Sequence, residues 1–210
     1  MSVNLVKKLH WLGHDTFRID AGKVIYFDPI RLPAGAPKAD IILISHEHHD
    51  HYSPTVVADL MKPTTSIVTV KSVAEQIKRK ADLHVVKPGD RVTVQGVEIE
   101  AVPAYNVNKQ YHPRQAGHVG FIVTVDGERI YHAGDTDVIP EMATFKVDVA
   151  LLPVSGKFVM TAEEAVEAAG KIKPKVAIPM HYGEIIGDES DAARFKAKSP
   201  VETIILQAEK

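Results

Sequence analysis

Short apolar runs broken by glycine and proline dominate the chain, and most have the length and β-branched content of strands. In the first part they fall at 8–12, 16–19 and 24–27, separated by Gly13 and the Asp20-Ala21-Gly22 turn, and read as consecutive antiparallel strands. Asp28-Pro29 ends the third, a turn-rich passage covers 33–37, and the unbroken apolar run 41–44 reads as a strand buried on both faces. Ser53 and Pro54 predict an N-cap and first position for a short helix ending near Lys62-Pro63, with Val57, Leu60 and Met61 on its apolar side. A strand at 66–70 then leads to a helix opened by Ser72, in which Val73, Ile77 and Ala81 share a face.

From 83 the period returns to that of strands, at 83–86, 91–94, 97–102, 118–125 and 129–132, the last two joined by the hairpin signal Asp126-Gly127. A polar stretch at 105–117 interrupts them, long enough to suggest a functional loop. After a core strand at 147–152, Thr161 and Glu164 have capping-box spacing for a helix whose Ala165, Val166, Ala169 and Ile172 form one face, ending at Lys173-Pro174. A strand at 176–179, a helix at 190–198 and a strand at 201–206 complete the pattern. The segments 24–28 and 38–44 are echoed by 129–132 with Asp135 and by 146–152. Such an internal duplication implies two similar β-rich layers facing each other, helices outside, and a site along the shared rim.

Composition narrows the class. The 210 residues suit one domain spanning 1–210. Twenty-five lysines and arginines against 27 acids leave a net charge of −2, with no basic field of the kind nucleic-acid binders carry. No run approaches membrane-spanning length, and residues 1–8 lack the apolar stretch of a signal peptide, so the expectation is a cytoplasmic protein with no membrane partner. There is no cysteine, which removes disulfides, thiolate metal sites and cysteine nucleophiles together. Any metal must therefore be held by nitrogen and oxygen.

Those donors are concentrated in one place. His46, Glu47, His48, His49, Asp50 and His51 follow the buried run 41–44 directly, on a loop leaving the end of a core strand. Imidazole and carboxylate are the donors that zinc, manganese or iron take. In an extended turn His46 and His48 can converge on one ion while Asp50 and His51 reach a second. Three more places could complete the shells: His132-Ala133-Gly134-Asp135-Thr136, Pro179-Met180-His181-Tyr182-Gly183, and the loop with Asn106 and His112.

With these residues the chain resembles the metallo-β-lactamase superfamily. His46, His48, Asp50 and His51 fit its His-x-His-x-Asp-His signature, Asp135 its later acid and His181 its final histidine. Trp11-Leu12-Gly13-His14 and Phe27-Asp28-Pro29 make the chain most similar to small hydrolases grouped with ascorbate-phosphate lactonases and N-acyl-phosphatidylethanolamine phospholipase D. The resemblance implies an α/β fold, an αββα sandwich of two facing mixed sheets with helices outside. It also implies a ligand set: His46, His48 and either Asn106 or His112 on one ion, Asp50, His51 and His181 on the other, Asp135 bridging. Asn106 stands where the family's third histidine is expected, and His112, six residues on, has the better ligand chemistry. The implied cofactors are two divalent ions, zinc first, with manganese, iron or a single ion as alternatives.

The activity implied is hydrolysis of an ester, lactone or phosphodiester of a small molecule by a metal-held hydroxide, with Asp50 orienting it and Asp135 essential. The alternatives are a nuclease or phosphodiesterase acting on nucleic acid, against which the lack of a clamp domain counts, and a metal-binding or ligand-sensing protein with little catalysis. A homo-oligomer is compatible with either. His14, Asp28 and His132 are expected beside the metals, and Tyr105 and Tyr182 in the pocket. His10, His84 and His118 read as structural, and His49 as outside the site. Lys109, Arg114 and Lys157 could form an anion-binding rim, or simply be solvated.

Overall fold

Hydrogen bonding sorts the strands into two sheets, one from each half of the chain. The computed structural model describes residues 3–78 and 80–209. β1 (Leu9–Trp11), β2 (Phe17–Asp20), β3 (Val24–Phe27), β4 (Ile41–Ile44), β5 (Ser66–Thr69) and β6 (Asp82–Val85) lie side by side in chain order. The second sheet holds β7 (Arg91–Val94), β8 (Val97–Pro103), β9 (Val119–Val125), β10 (Glu128–His132), β11 (Val149–Pro153), β12 (Val176–Met180) and β13 (Glu202–Thr203), again in chain order. Pairing is antiparallel from β1 to β3 and parallel from β3 to β6; it is antiparallel from β7 to β10 and parallel from β10 to β13. Both sheets are mixed, as expected for the α/β sandwich.

The repeat extends to side chains. The amide of Asp40 donates to Val24 O (2.8 Å) while its Oδ2 accepts from the Val24 amide (2.9 Å). Asp148 does the same with Arg129, at 2.8 Å each way. Each carboxylate also meets a lysine at 2.8 Å, Lys62 or Lys175. Both acids thereby lock the start of a buried parallel strand to its neighbour. Phe27 and His132, the equivalent last residues of β3 and β10, stack face to face with centroids 5.1 Å apart, which joins the two sheets.

Helices lie between the parallel strands. α1 (Pro54–Leu60) is capped by Ser53, whose Oγ accepts from the Val56 amide, and buries Val57 and Leu60. α2 (Lys71–Ala74) is a single turn rather than the longer helix expected through Ile77 and Ala81. Its Ser72 hydroxyl donates to Glu47 Oε2 (2.6 Å) instead of capping, and the chain must reach β6 by Asp82. Arg79, inside that expected helix, lies outside the described residues. α3 (Ala162–Ile172) carries the full Thr161–Glu164 capping box, and α4 (Glu189–Lys198) packs against it. Among the described residues no helix is long and apolar enough to cross a membrane.

The expected strand at 201–206 shortens to Glu202–Thr203, paired with Val176 and Ala177 of β12. Beyond them β12 presents Pro179, which has no N–H to offer. The tail crosses instead to the first sheet, where the Glu209 amide donates to Trp11 O. The run 41–44 is fully buried, as its unbroken apolar character requires.

The paired aspartates generate a stability prediction. Burial raises the pKa of Asp40 and Asp148, but the hydrogen bonds from lysine and from a backbone amide outweigh it and hold both below the ordinary 3.8. Their contribution is present above the unfolded pKa and is lost as pH falls through the lower folded value. Asp40→Ala and Asp148→Ala should each cost about 2 kcal/mol at pH 7 in denaturant unfolding. The cost should shrink below pH 3.

Candidate metal centre

Six loops at the ends of strands meet at one edge of the sandwich. After β4 the chain turns sharply, the amides of His51 and Tyr52 both donating to His48 O (3.0 and 2.9 Å), which brings His46, His48 and His51 to one side. His112 comes from the loop between β8 and β9, Asp135 follows β10, and His181 follows β12. His14 arrives on the turn between β1 and β2, and Asp28 at the end of β3. Three of these residues have left-handed backbones, His14 (φ 49°), Asp28 (φ 42°) and His181 (φ 61°). In non-glycine residues that conformation costs about 1 kcal/mol or more each and is kept where side-chain placement demands it. Gly134 is required on different grounds, since a Cβ there would stand 2.9 Å from Val119 O.

The ligand atoms form two groups either side of Asp135. His48 Nδ1 lies 3.1 Å from His46 Nε2 and 3.2 Å from His112 Nε2, and His112 Nε2 lies 3.3 Å from Asp135 Oδ2. On the other side, Asp135 Oδ1 lies 3.1 Å from His51 Nε2 and 3.3 Å from His181 Nε2. His14 and Asp15 join His51 and His181 there, with the four ligand atoms within 4.8 Å of one another. Asp50 Oδ2 sits at the outer edge, 3.5 Å from His14 Nε2 and 4.0 Å from His181 Nε2.

Three rings are turned by partners on their far nitrogen. His46 Nδ1 meets Ser45 Oγ (2.9 Å), His51 Nδ1 meets Asp28 Oδ2 (2.7 Å), and His181 Nδ1 meets Ser155 Oγ (2.8 Å). Each Nε2 is thus left facing the centre, the arrangement by which ligating histidines are oriented. Asp28 is itself fixed by the amide (2.7 Å) and hydroxyl (2.6 Å) of Ser45. A metal fits the residues present. His51 Nε2, His181 Nε2, Asp135 Oδ1 and both oxygens of Asp15 are buried without a hydrogen-bond partner, although buried polar groups are nearly always paired.

The two groups differ in charge. Burial pushes His46 far below the ordinary histidine pKa and takes His112 down to about 4, so these two are neutral imidazoles at pH 7. In the second, burial also works against protonation, but the carboxylates of Asp135 and Asp15 prevail, raising His181 to about 9 and His51 well above its ordinary value. Asp135 stays ionised: the charges of His51 and His181 outweigh the effect of its burial. Without metal, protons supply the cationic charge that these carboxylates require.

Most expected site residues come together, with corrections at the margins. His112, not Asn106, reaches His46 and His48. Asn106 Oδ1 accepts from the His112 amide (2.9 Å) and its Nδ2 donates to Phe158 O (2.9 Å), so its polar atoms are used in holding the loop. His14, expected near the metals, stands among the candidate ligands themselves. His132 turns away, its Nε2 donating to Asp15 O (2.8 Å). The Tyr105 hydroxyl goes to Glu141 (3.0 Å), and Tyr182 stacks on Trp11 (5.0 Å) in a separate cavity with Glu189 and Leu206, so neither lines the centre.

His118, expected to be structural, stacks on His46 at 4.7 Å. His49 lies outside both groups. The expected cationic rim is occupied otherwise: Lys109 pairs with Asp137 (2.6 Å), Arg114 with Glu141 (2.9 Å), and Lys157 lies over the Phe158 ring. Sequence reasoning missed Asp15, Ser45 and Ser155. Only Asp15 carried a signal, an acid next to His14 in a turn.

Residues 8–181 match the model of a beta-lactamase superfamily domain. A UPF0173 metal-dependent hydrolase of Thermococcus kodakarensis is 35% identical over 218 residues, covering 95% of this chain and 96% of the relative. A crystal structure of a candidate metal-dependent hydrolase from Parabacteroides distasonis superposes with a TM-score of 0.86 at 34% identity, covering 96% of this chain and 93% of that one. Igni18, a metallo hydrolase of Ignicoccus hospitalis, shares the fold with a TM-score of 0.81 at 24% identity, covering 96% and 95%.

Two outcomes are expected of this geometry. Asn106→Ala frees the loop carrying His112 and should weaken metal binding by the His46, His48 and His112 group about 10- to 100-fold in calorimetric titration. Metal entering the second group must displace protons from His51 and His181, so its affinity should rise with pH up to about 9, with proton release visible in buffers of different ionisation enthalpy. His46 and His112, held neutral by burial, should release no protons to metal above pH 5.

Proposed function

Because the chain belongs to the metallo-β-lactamase superfamily and is a metal-dependent hydrolase of it, we propose that its two ligand groups hold a pair of divalent cations and that it cleaves an ester, lactone or phosphodiester bond in a small substrate. The observation that carries this reading is the position of Asp135. Its two oxygens face opposite groups, Oδ2 at 3.3 Å from His112 Nε2 and Oδ1 at 3.1 Å and 3.3 Å from His51 and His181. One carboxylate so placed can join two cations. The first group, three imidazoles and one carboxylate oxygen, has the donor number and type of a four-coordinate zinc site. When bound, such ions polarise a carbonyl or phosphoryl oxygen and lower the pKa of water toward neutrality.

The chain's own residues then divide the remaining work. Asp28, Ser45 and Ser155 fix the imidazoles, so the shell does not have to reorganise during the reaction. Asp50 is the carboxylate of the centre most open to solvent, at 13% side-chain exposure. Burial works against its ionisation, but the neighbouring His14 imidazole at 3.5 Å and the His51 charge hold its pKa well below the carboxylate range. It therefore remains an ionised hydrogen-bond acceptor at neutral pH and can orient an incoming water. Tyr111, exposed and next in chain to His112, stands edge-on to Phe158 at 4.6 Å and offers an apolar face to the organic part of a substrate.

The test is a panel of nitrophenyl esters, lactones and small phosphodiesters, assayed with the loaded protein, after chelation, and after metal is restored. Chelation should abolish turnover and metal should return it. Asp135→Asn should lower kcat by at least about a thousand-fold and reduce the metal retained through dialysis. Full activity in chelated protein, or an Asp135→Asn variant that retains both metal and rate, would overturn the reading.

A further inference from the structure

The family signature accounts for the imidazoles and for Asp50 and Asp135, and leaves Asp15 over. Asp15 is fully buried, and neither carboxylate oxygen has a hydrogen-bond partner. An ionised carboxylate buried without compensation costs several kcal/mol, so the ionised form of Asp15 calls for a cationic partner. Among the described residues no lysine or arginine is paired with it. Its charged neighbours are Nε2 atoms of His51 (3.2 Å), His14 (3.9 Å) and His181 (3.9 Å).

The side from which Asp15 approaches is informative. A carboxylate that orients a metal-binding histidine contacts the nitrogen turned away from the metal. On His51 and His181 that nitrogen is Nδ1, already engaged by Asp28 and Ser155. Asp15 instead meets the Nε2 side, where the ion itself would sit. Ligand atoms about 2.1 Å from one ion lie between about 3 and 4.2 Å from each other. The separations of Asp15 Oδ2 from His51, His14 and His181 all fall in that interval. Its backbone is held in place too: Asp15 O accepts from His132 Nε2 (2.8 Å), and His14 before it takes the left-handed turn.

We propose that Asp15 is a direct ligand of the second cation, beside His51, His181 and Asp135. This rests on the two-cation reading above. Asp15 and Asp135 then give the second site at least two carboxylate oxygens, with Asp50 at its edge, where the first holds one. Harder oxygen donors and higher coordination shift a site's preference from zinc toward manganese or ferrous iron.

Cobalt(II) titration of the full chain separates this idea from the one beneath it, because visible absorption distinguishes coordination number and calorimetry gives each affinity. Wild type should bind two equivalents, the second with the weak absorption of a five- or six-coordinate ion. Asp15→Asn and Asp15→Ala should keep the first equivalent unchanged and weaken the second more than about 100-fold, with a changed spectrum. Thermal unfolding of the metal-free variants checks folding, and near-isosteric Asn should unfold no lower than wild type.

Variants that bind both ions with wild-type affinity and spectrum would overturn the proposal. So would a metal-free Asp15→Asn that is destabilised yet binds the second ion normally, because that pattern marks a packing residue. A wild-type chain that takes up a single equivalent overturns the two-cation reading itself, and does so before any variant is made.

Discussion

The structure depends on a balance of charge in a dry pocket. Asp15, Asp28 and Asp135 are all at most 2% exposed, and the groups facing them are imidazoles. Carboxylates in such surroundings need cationic charge within a few ångströms. Protons on His51 and His181 can supply it in the metal-free chain, and divalent ions supply it more fully. The same arrangement explains why buried donor atoms go unpaired there: His51 Nε2, His181 Nε2 and Asp135 Oδ1 are the atoms that bound cations would engage. Stability and chemistry thus draw on one set of contacts.

Holding so many unsatisfied groups together is the task of the doubled scaffold. Each sheet runs antiparallel and then parallel; the parallel strands deliver most of the functional residues, while His14 and His112 come from loops between antiparallel strands. Phe27 stacked on His132 couples the two at the point where β3 and β10 release Asp28 and the Asp135 loop. The Asp40 and Asp148 brackets set the opposite ends of the same strand pairs. Rigid strands thereby fix the loops, and the loops absorb the strain, as the left-handed backbones of His14, Asp28 and His181 show.

Much of this was legible in the sequence. The buried run 41–44 followed at once by four imidazoles and two carboxylates announced a site at a strand end, because nothing else accounts for that density of donors. The echo of 24–28 and 38–44 in the second half foretold two like sheets, and the repeated aspartate brackets are its physical content. The ends of elements were harder. Ser72 signals a helix start, but its hydroxyl is taken by Glu47, a partner that only tertiary structure supplies.

Asn106 and His112 could not be separated along the chain, since the choice turns on how a loop closes through Phe158. Asp15 carried only the signal of its neighbour His14, because an acid in a turn is ordinarily solvated. Its burial comes from His181 folding back, with the His181 amide donating to His14 O, across most of the chain length.

The central claim is that one carboxylate joins two cations held by distinct groups of side chains. Anomalous diffraction from crystals of the metal-loaded protein, recorded on both sides of the metal's absorption edge, measures it most directly. The account predicts two peaks per chain with Asp135 between them, one within bonding distance of His46 Nε2, His48 Nδ1 and His112 Nε2, the other of His51 Nε2 and His181 Nε2. A single peak, or two peaks not shared by Asp135, would contradict it.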